Sequence, residues 1–146
     1  MSLELKGITK RFGSFTANDE IDLRVEKAFE IVNQKPKDNW ILWHHLESER
    51  VSIEKQFKNH FKINSVYGSQ TNQEKEKLLI DFKHGQYQIL STKPKIAGSG
   101  CNFQHVCNNM IFVGIDYKFN DFIQSVHRLY RFKQEKEVNV YVIFTN

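Results

Sequence analysis

The sequence predicts an α/β domain with a mainly parallel sheet and helices on both faces, and three observations point there. Short runs rich in β-branched and aromatic residues alternate along the chain with segments of helical apolar spacing. The 146 residues, 40% of them hydrophobic, suffice for one packed domain and are too few for two ordinary ones. No apolar run reaches the length that crosses a bilayer, and the N-terminus lacks the apolar stretch of a signal peptide.

Taken in order, residues 1–18 are polar, basic and irregular, with Gly7, Lys10, Arg11 and Gly13, and are expected to form a tail or linker. The packed domain is expected over residues 19–146. Asp19 or Asp22 can start a first helix, whose apolar positions Val25, Ala28, Phe29 and Val32 recur at helical spacing and which ends before Pro36. Trp40 to His44 is a short apolar run bounded by polar residues, which suits a buried strand. Glu47 to Phe57 returns to helical spacing, and Ile63 to Tyr67 is a second strand closed by Gly68. Thr71 and Glu74 have capping-box spacing, and behind them Leu78, Leu79 and Phe82 line one helix face before Gly85 stops it. Tyr87 to Ser91, Met110 to Val113 and Val138 to Phe144 complete the strands. Asp121 and Gln124 repeat the capping-box spacing at the start of a last helix.

The formal charge of +4 and pI near 9.0 favour a polyanionic partner only weakly, because a small domain carries that much charge for solubility alone. Placement says more: Lys93, Lys95, Lys118, Arg128, Arg131 and Lys133 crowd the C-terminal half. Cys101 and Cys107 flank His105, but no further pair completes a four-ligand zinc site, so two reduced thiols are expected and no metal.

Two segments carry candidate chemistry. From Gln124 to Gln134, at about 100° per residue, Gln124, Arg128 and Arg131 fall within roughly 60° of one another. Phe122, Val126, Leu129 and Tyr130 cover the opposite side. One face packs, and the other offers two planar, permanently charged forks to an anion or to water. The second segment, Ser91 to Gln104, holds Gly98 and Gly100, whose spacing lets backbone amides approach phosphate oxygens closely or simply makes a turn. Lys93 and Lys95 add charge, while Ser91, Thr92, Asn102 and Gln104 add hydrogen-bonding groups.

A Gly-x-Gly-x-Asn loop after a buried strand, then a strand, then Gln-x-x-x-Arg-x-x-Arg resembles the second RecA-like lobe of superfamily 2 helicases and translocases. Within it the chain looks most like the Swi/Snf-type branch. Ile41 to His45 would be that family's motif IV strand, Ser91 to Gln104 its motif V and Gln124 to Arg131 its motif VI. Asp116 and Tyr117 stand where the branch carries an acidic and aromatic stretch, and Gln134 matches the glutamine that often closes motif VI. The chain departs from the pattern at His127, where relatives carry a small residue, and at Lys133, where they usually carry glycine. DEAD-box proteins resemble it less, since they begin motif VI with His-Arg and carry aspartate where Asn102 stands.

The resemblance implies a RecA-like three-layer αβα domain that supplies arginines to a nucleotide held mainly by a first, N-terminal RecA-like lobe. Arg131 would be the arginine finger, Arg128 a second phosphate contact and Gln124 an orienting residue, with Gly100 near the nucleotide. Thr92, Lys93, Gly98, Asn102 and His45 would meet nucleic acid, with DNA, expected to be a duplex, as the partner; His44 and His45 are equally readable as packed or solvated. ATP and magnesium would be bound mainly by the first lobe, because the sequence holds neither a Gly-x-x-x-x-Gly-Lys-Ser/Thr loop nor an Asp-Glu pair after an apolar strand. The chain is therefore expected to be part of a longer, cytoplasmic or nucleoid-associated protein and inactive alone. A non-catalytic nucleic-acid-binding module of the same fold is the rival reading. A stand-alone nucleotide-binding enzyme is disfavoured, because no glycine-rich turn follows the first strand.

Overall fold

The computed structural model describes residues 2–10, 17–97, 101–115 and 118–145. Six strands form one sheet: β1 (Leu3–Lys10), β2 (Trp40–Trp43), β3 (Ile63–Val66), β4 (Ile89–Thr92), β5 (Asn109–Phe112) and β6 (Val138–Thr145). Their order is β1-β6-β5-β2-β4-β3, and every neighbouring pair is parallel. Four helices accompany them: α1 (Ala17–Asn33), α2 (Glu47–Phe57), α3 (Asn72–Lys83) and α4 (Phe119–Val126).

The unbroken apolar run of β2 follows from its central place, where both faces are covered. Trp40 and Leu42 pack with Val25, Ala28, Ile53 and Phe57 of α1 and α2. Ile41 and Trp43 pack on the other face with Phe82, Phe103, Val126 and Leu129. All four β2 side chains are fully buried, each contributing about 1.5–3 kcal/mol of transfer free energy. The predicted three-layer α/β architecture is the one observed.

Thr71 caps α3 as expected: its hydroxyl accepts from Glu74 N, and the Glu74 carboxylate accepts from Thr71 N. Gly85, at φ 71°, takes the left-handed conformation that ends this helix.

Two expectations are corrected. Leu3–Lys10 is not an irregular tail; it pairs with β6 from Leu3↔Val138 to Lys10↔Thr145. Its mixture of Lys, Glu and exposed Leu is the composition of an edge strand, which backbone pairing holds and charge protects from further pairing. The last helix is also displaced. It begins after Lys118, with no side-chain cap, and ends at Val126, so Asp121 and Gln124 form no capping box and Arg128 and Arg131 lie beyond the helix. Burial of Val126 and Leu129 is satisfied by turns bonded through Ser125 O and Val126 O rather than by a continued helix.

Candidate functional site

The C-terminal ends of β2, β4 and β5 meet at one side of the sheet. Just past β2, His44 donates its backbone amide to Thr92 O at 3.1 Å, and the Thr92 hydroxyl donates to Val66 O at 2.9 Å. Thr92 is fully buried, so its side chain is committed to the sheet and does not face a nucleic-acid phosphate as expected. His44 is fully buried too, and neither ring nitrogen has a hydrogen-bond partner among the described residues. Burial lowers its pKa to about 4. His45 is exposed beside it.

His44, His45 and half-buried Lys93 wall a cavity of about 180 Å³, closed on its apolar side by Phe112, Ile115 and Phe122. Next to it, across His45 and Ile115, a second cavity is lined by Arg24 and Glu49, which sequence reasoning missed. The buried Glu49 carboxylate accepts from His45 N (2.8 Å) and Leu46 N (2.6 Å), so it caps α2, and it pairs with Arg24 at 2.5 Å. Arg24 also donates to Val113 O, tying α1 to the end of β5. A Cβ at Gly114 would overlap the Glu49 carboxylate, which explains the glycine there. The available signals were weak: a lone glycine after a strand, and a glutamate three residues after Leu46, which is no capping residue.

The arginines belong to a second group. Gln124 is exposed on α4, and Arg128 and Arg131 sit on the turns that follow. Those turns are fastened to the segment Cys101–Cys107. Phe103 N donates to Arg128 O (3.2 Å), Arg128 Nη1 to Cys101 O (3.4 Å) and Gln104 Nε2 to Phe132 O (3.4 Å). Beneath them Gln134 is buried, donating Nε2 to both Cys107 O and Leu129 O at 3.1 Å and accepting from Lys136 N. Lys133 has φ 71°, the left-handed region, at the position where the resemblance called for glycine.

Arg128 is half-buried; burial and the neighbouring Arg131 pull its pKa down, against the influence of Cys101. Arg131 is exposed, and its guanidinium makes no hydrogen bond or ion pair with a described residue. Asn102 is half-buried, and its Oδ1 has no hydrogen-bond partner among the described residues. Gly98, Gly100, Asp116 and Tyr117 lie outside the described residues. Cys107 is buried, its thiol donating to Asn39 O and Asn109 O and pushed up to about 12 by burial.

Residues 23–133, well over half of the chain, match the helicase conserved C-terminal domain model. The chain belongs to that family. Both clusters above fall within the matched span or at its edge. Among solved structures, the C-terminal part of the Fun30 ATPase domain aligns at a TM-score of 0.75 and 19% identity, covering 84% of this chain and 41% of that one. Domain 2 of the DEAD-box helicase Mss116p, solved bound to an RNA duplex, aligns at 0.74 and 15% identity over 100% and 55%. The Pyrococcus furiosus Hef helicase domain aligns at 0.58 and 16% identity over 87% and 25%. No curated protein matches the chain in sequence. The chain thus spans about half or less of these structures, and its fold is that of the C-terminal lobe of superfamily 2 helicases and translocases. Among the described residues, no helix is long and apolar enough to cross a membrane.

Proposed function

We propose that the chain is the second motor lobe of an ATP-dependent DNA helicase or translocase of the Swi/Snf-type branch. The observation that carries this is the pair of arginines on one anchored turn: Arg131 exposed and unengaged, Arg128 half-buried behind it, Gln134 holding the turn from below. Phosphoryl transfer leaves little covalent chemistry to the protein, so charge placed against the γ-phosphate does much of the catalysis. Arg131 is the finger, Arg128 the second phosphate contact, and Gln124 orients the nucleotide; Gly100, outside the described residues, keeps the nucleotide-binding role that the resemblance implies. Fixing the turn matters because a mobile guanidinium would lose that preorganisation.

ATP and magnesium are bound mainly by a first lobe, which supplies the phosphate loop that this sequence lacks. Among the described residues, no three His, Cys, Asp or Glu side chains gather as a metal site. Lys93, His45, Asn102 and the Gly98 backbone follow the DNA, contacting phosphates that position a duplex without reading its sequence. Isolated, the lobe does not hydrolyse ATP.

In a protein carrying both lobes, Arg131→Ala lowers DNA-stimulated turnover by about a thousandfold or more while nucleotide affinity changes little. Arg131→Lys rescues poorly, because ammonium is a point charge and not a planar fork. Near-normal turnover in Arg131→Ala would overturn the assignment.

A further inference from the structure

The cavity at the strand ends has features that phosphate contacts leave unused. The connection after β2 leads to α2 on one face of the sheet, while the connection after the adjacent β5 leads to α4 on the other. Such a reversal opens a crevice between neighbouring strand ends, where ligands of α/β sheets characteristically bind. At about 180 Å³ the space is smaller than the roughly 300–1,000 Å³ that encloses a drug-sized ligand, so it admits a single ring system.

Its walls define the chemistry. Phe112 and Phe122 lie with ring centroids 4.7 Å apart and 34° between planes, and Pro94 and Ile115 extend the apolar surface. His44 forms part of the wall with both nitrogens unpartnered among the described residues, and a neutral imidazole offers one donor and one acceptor. Lys93, Lys95 and Lys118 line the cavity too, together with Asp121. A phosphate alone would leave the aromatic surface idle, and an apolar side chain would leave the imidazole unsatisfied.

We infer that this cavity receives one unpaired nucleobase, swung out of the strand that the lobe holds by its phosphates. The base lies against Phe122, which Phe112 backs from the core, its hydrogen-bonding edge meets the His44 ring after small side-chain shifts of the usual kind on binding, and Lys93 pairs with an adjoining phosphate. The inference rests on the nucleic-acid reading above.

The test uses the two-lobed protein and DNA strands in which one abasic site is moved along the sequence, with 2-aminopurine placed at the same positions. Binding is expected to weaken roughly 5- to 100-fold at one register only, the range for one stacked base, with 2-aminopurine emission changing at that register. Phe122→Ala should erase the register-specific penalty and His44→Leu should reduce it, while phosphate-driven affinity persists in both. Equal affinity at every abasic position, or a water molecule alone on His44 in a DNA-bound structure, overturns the base pocket and leaves the DNA reading standing. Failure to bind any DNA, single strand or duplex, overturns both. The abasic scan needs no variant, so misfolding of His44→Leu cannot hide the answer.

Discussion

Helices α3 and α4 carry the same local signal and use it differently. Thr71 and Glu74 close the start of α3 reciprocally, whereas Asp121 and Gln124, at the same spacing, lie inside α4, which starts at Phe119 without a side-chain cap. The helix that needs little from the rest of the molecule obeys its sequence. The one that roofs a cavity and leads into the arginine turn obeys its partners, because bonds from Cys101, Phe103, Gln104 and Cys107 fix where its continuation goes. A cap is worth about 1 kcal/mol, less than the burial of Val126 and Leu129 together.

The largest expected effect lies under α4. His44, which walls the cavity there, has its pKa lowered to about 4 in the fold from 6.5 when unfolded, so below pH 6.5 the unfolded chain binds the extra proton first. The corresponding stability is present above pH 6.5 and lost as pH falls toward 4, by about 3 kcal/mol at 1.36 kcal/mol per unit. Urea midpoints across that window should fall less steeply in His44→Leu; an unchanged slope would show that His44 is not the group titrating.

Gln134→Leu comes next. It strands Cys107 O and Lys136 N and removes one of the two bonds to Leu129 O, which keeps Arg131 N, and should cost about 2–3 kcal/mol in urea unfolding. Beyond stability, a loosened turn should lower kcat of the two-lobed protein with KM for ATP little changed. Equal stability and turnover would mean that the turn holds itself, and that α4 is as autonomous as α3.

The paired caps make the direct comparison. Thr71→Ala should cost about 1 kcal/mol, while Asp121→Ala should stay within about 0.5 kcal/mol; equal losses would show that the two spacings act alike. One substitution should give a gain. Lys133→Gly removes the strain of a left-handed non-glycine residue and should raise the unfolding midpoint by up to about 1 kcal/mol.

Much of this molecule was legible in its residues. The first three helices and the five strands after the N-terminal region were expected close to where they lie, although the strand expected from Tyr87 begins at Ile89 and the Tyr87 hydroxyl donates to Leu78 O. The site was legible as chemistry and less so as geometry. Arg128, Arg131, Lys93 and His45 could be picked by residue type and order, yet the helical face that joined the arginines does not exist, and Thr92 is turned inward. Glu49, Arg24 and Gly114 were invisible, since their relation spans the sheet from α1 to the end of β5.

By itself, the sequence determined the succession of strands and helices, the capped and glycine-terminated α3, and the kind of charge offered by the C-terminal segment. Apolar period, capping spacing and guanidinium chemistry are set within a few residues of one another. Only the tertiary structure decided that Leu3–Lys10 joins the sheet, that α4 stops at Val126, that Thr92 faces Val66 and that His44 borders a cavity. Each of those outcomes depends on a backbone partner or a buried surface from a distant part of the chain, which only the assembled sheet brings within reach.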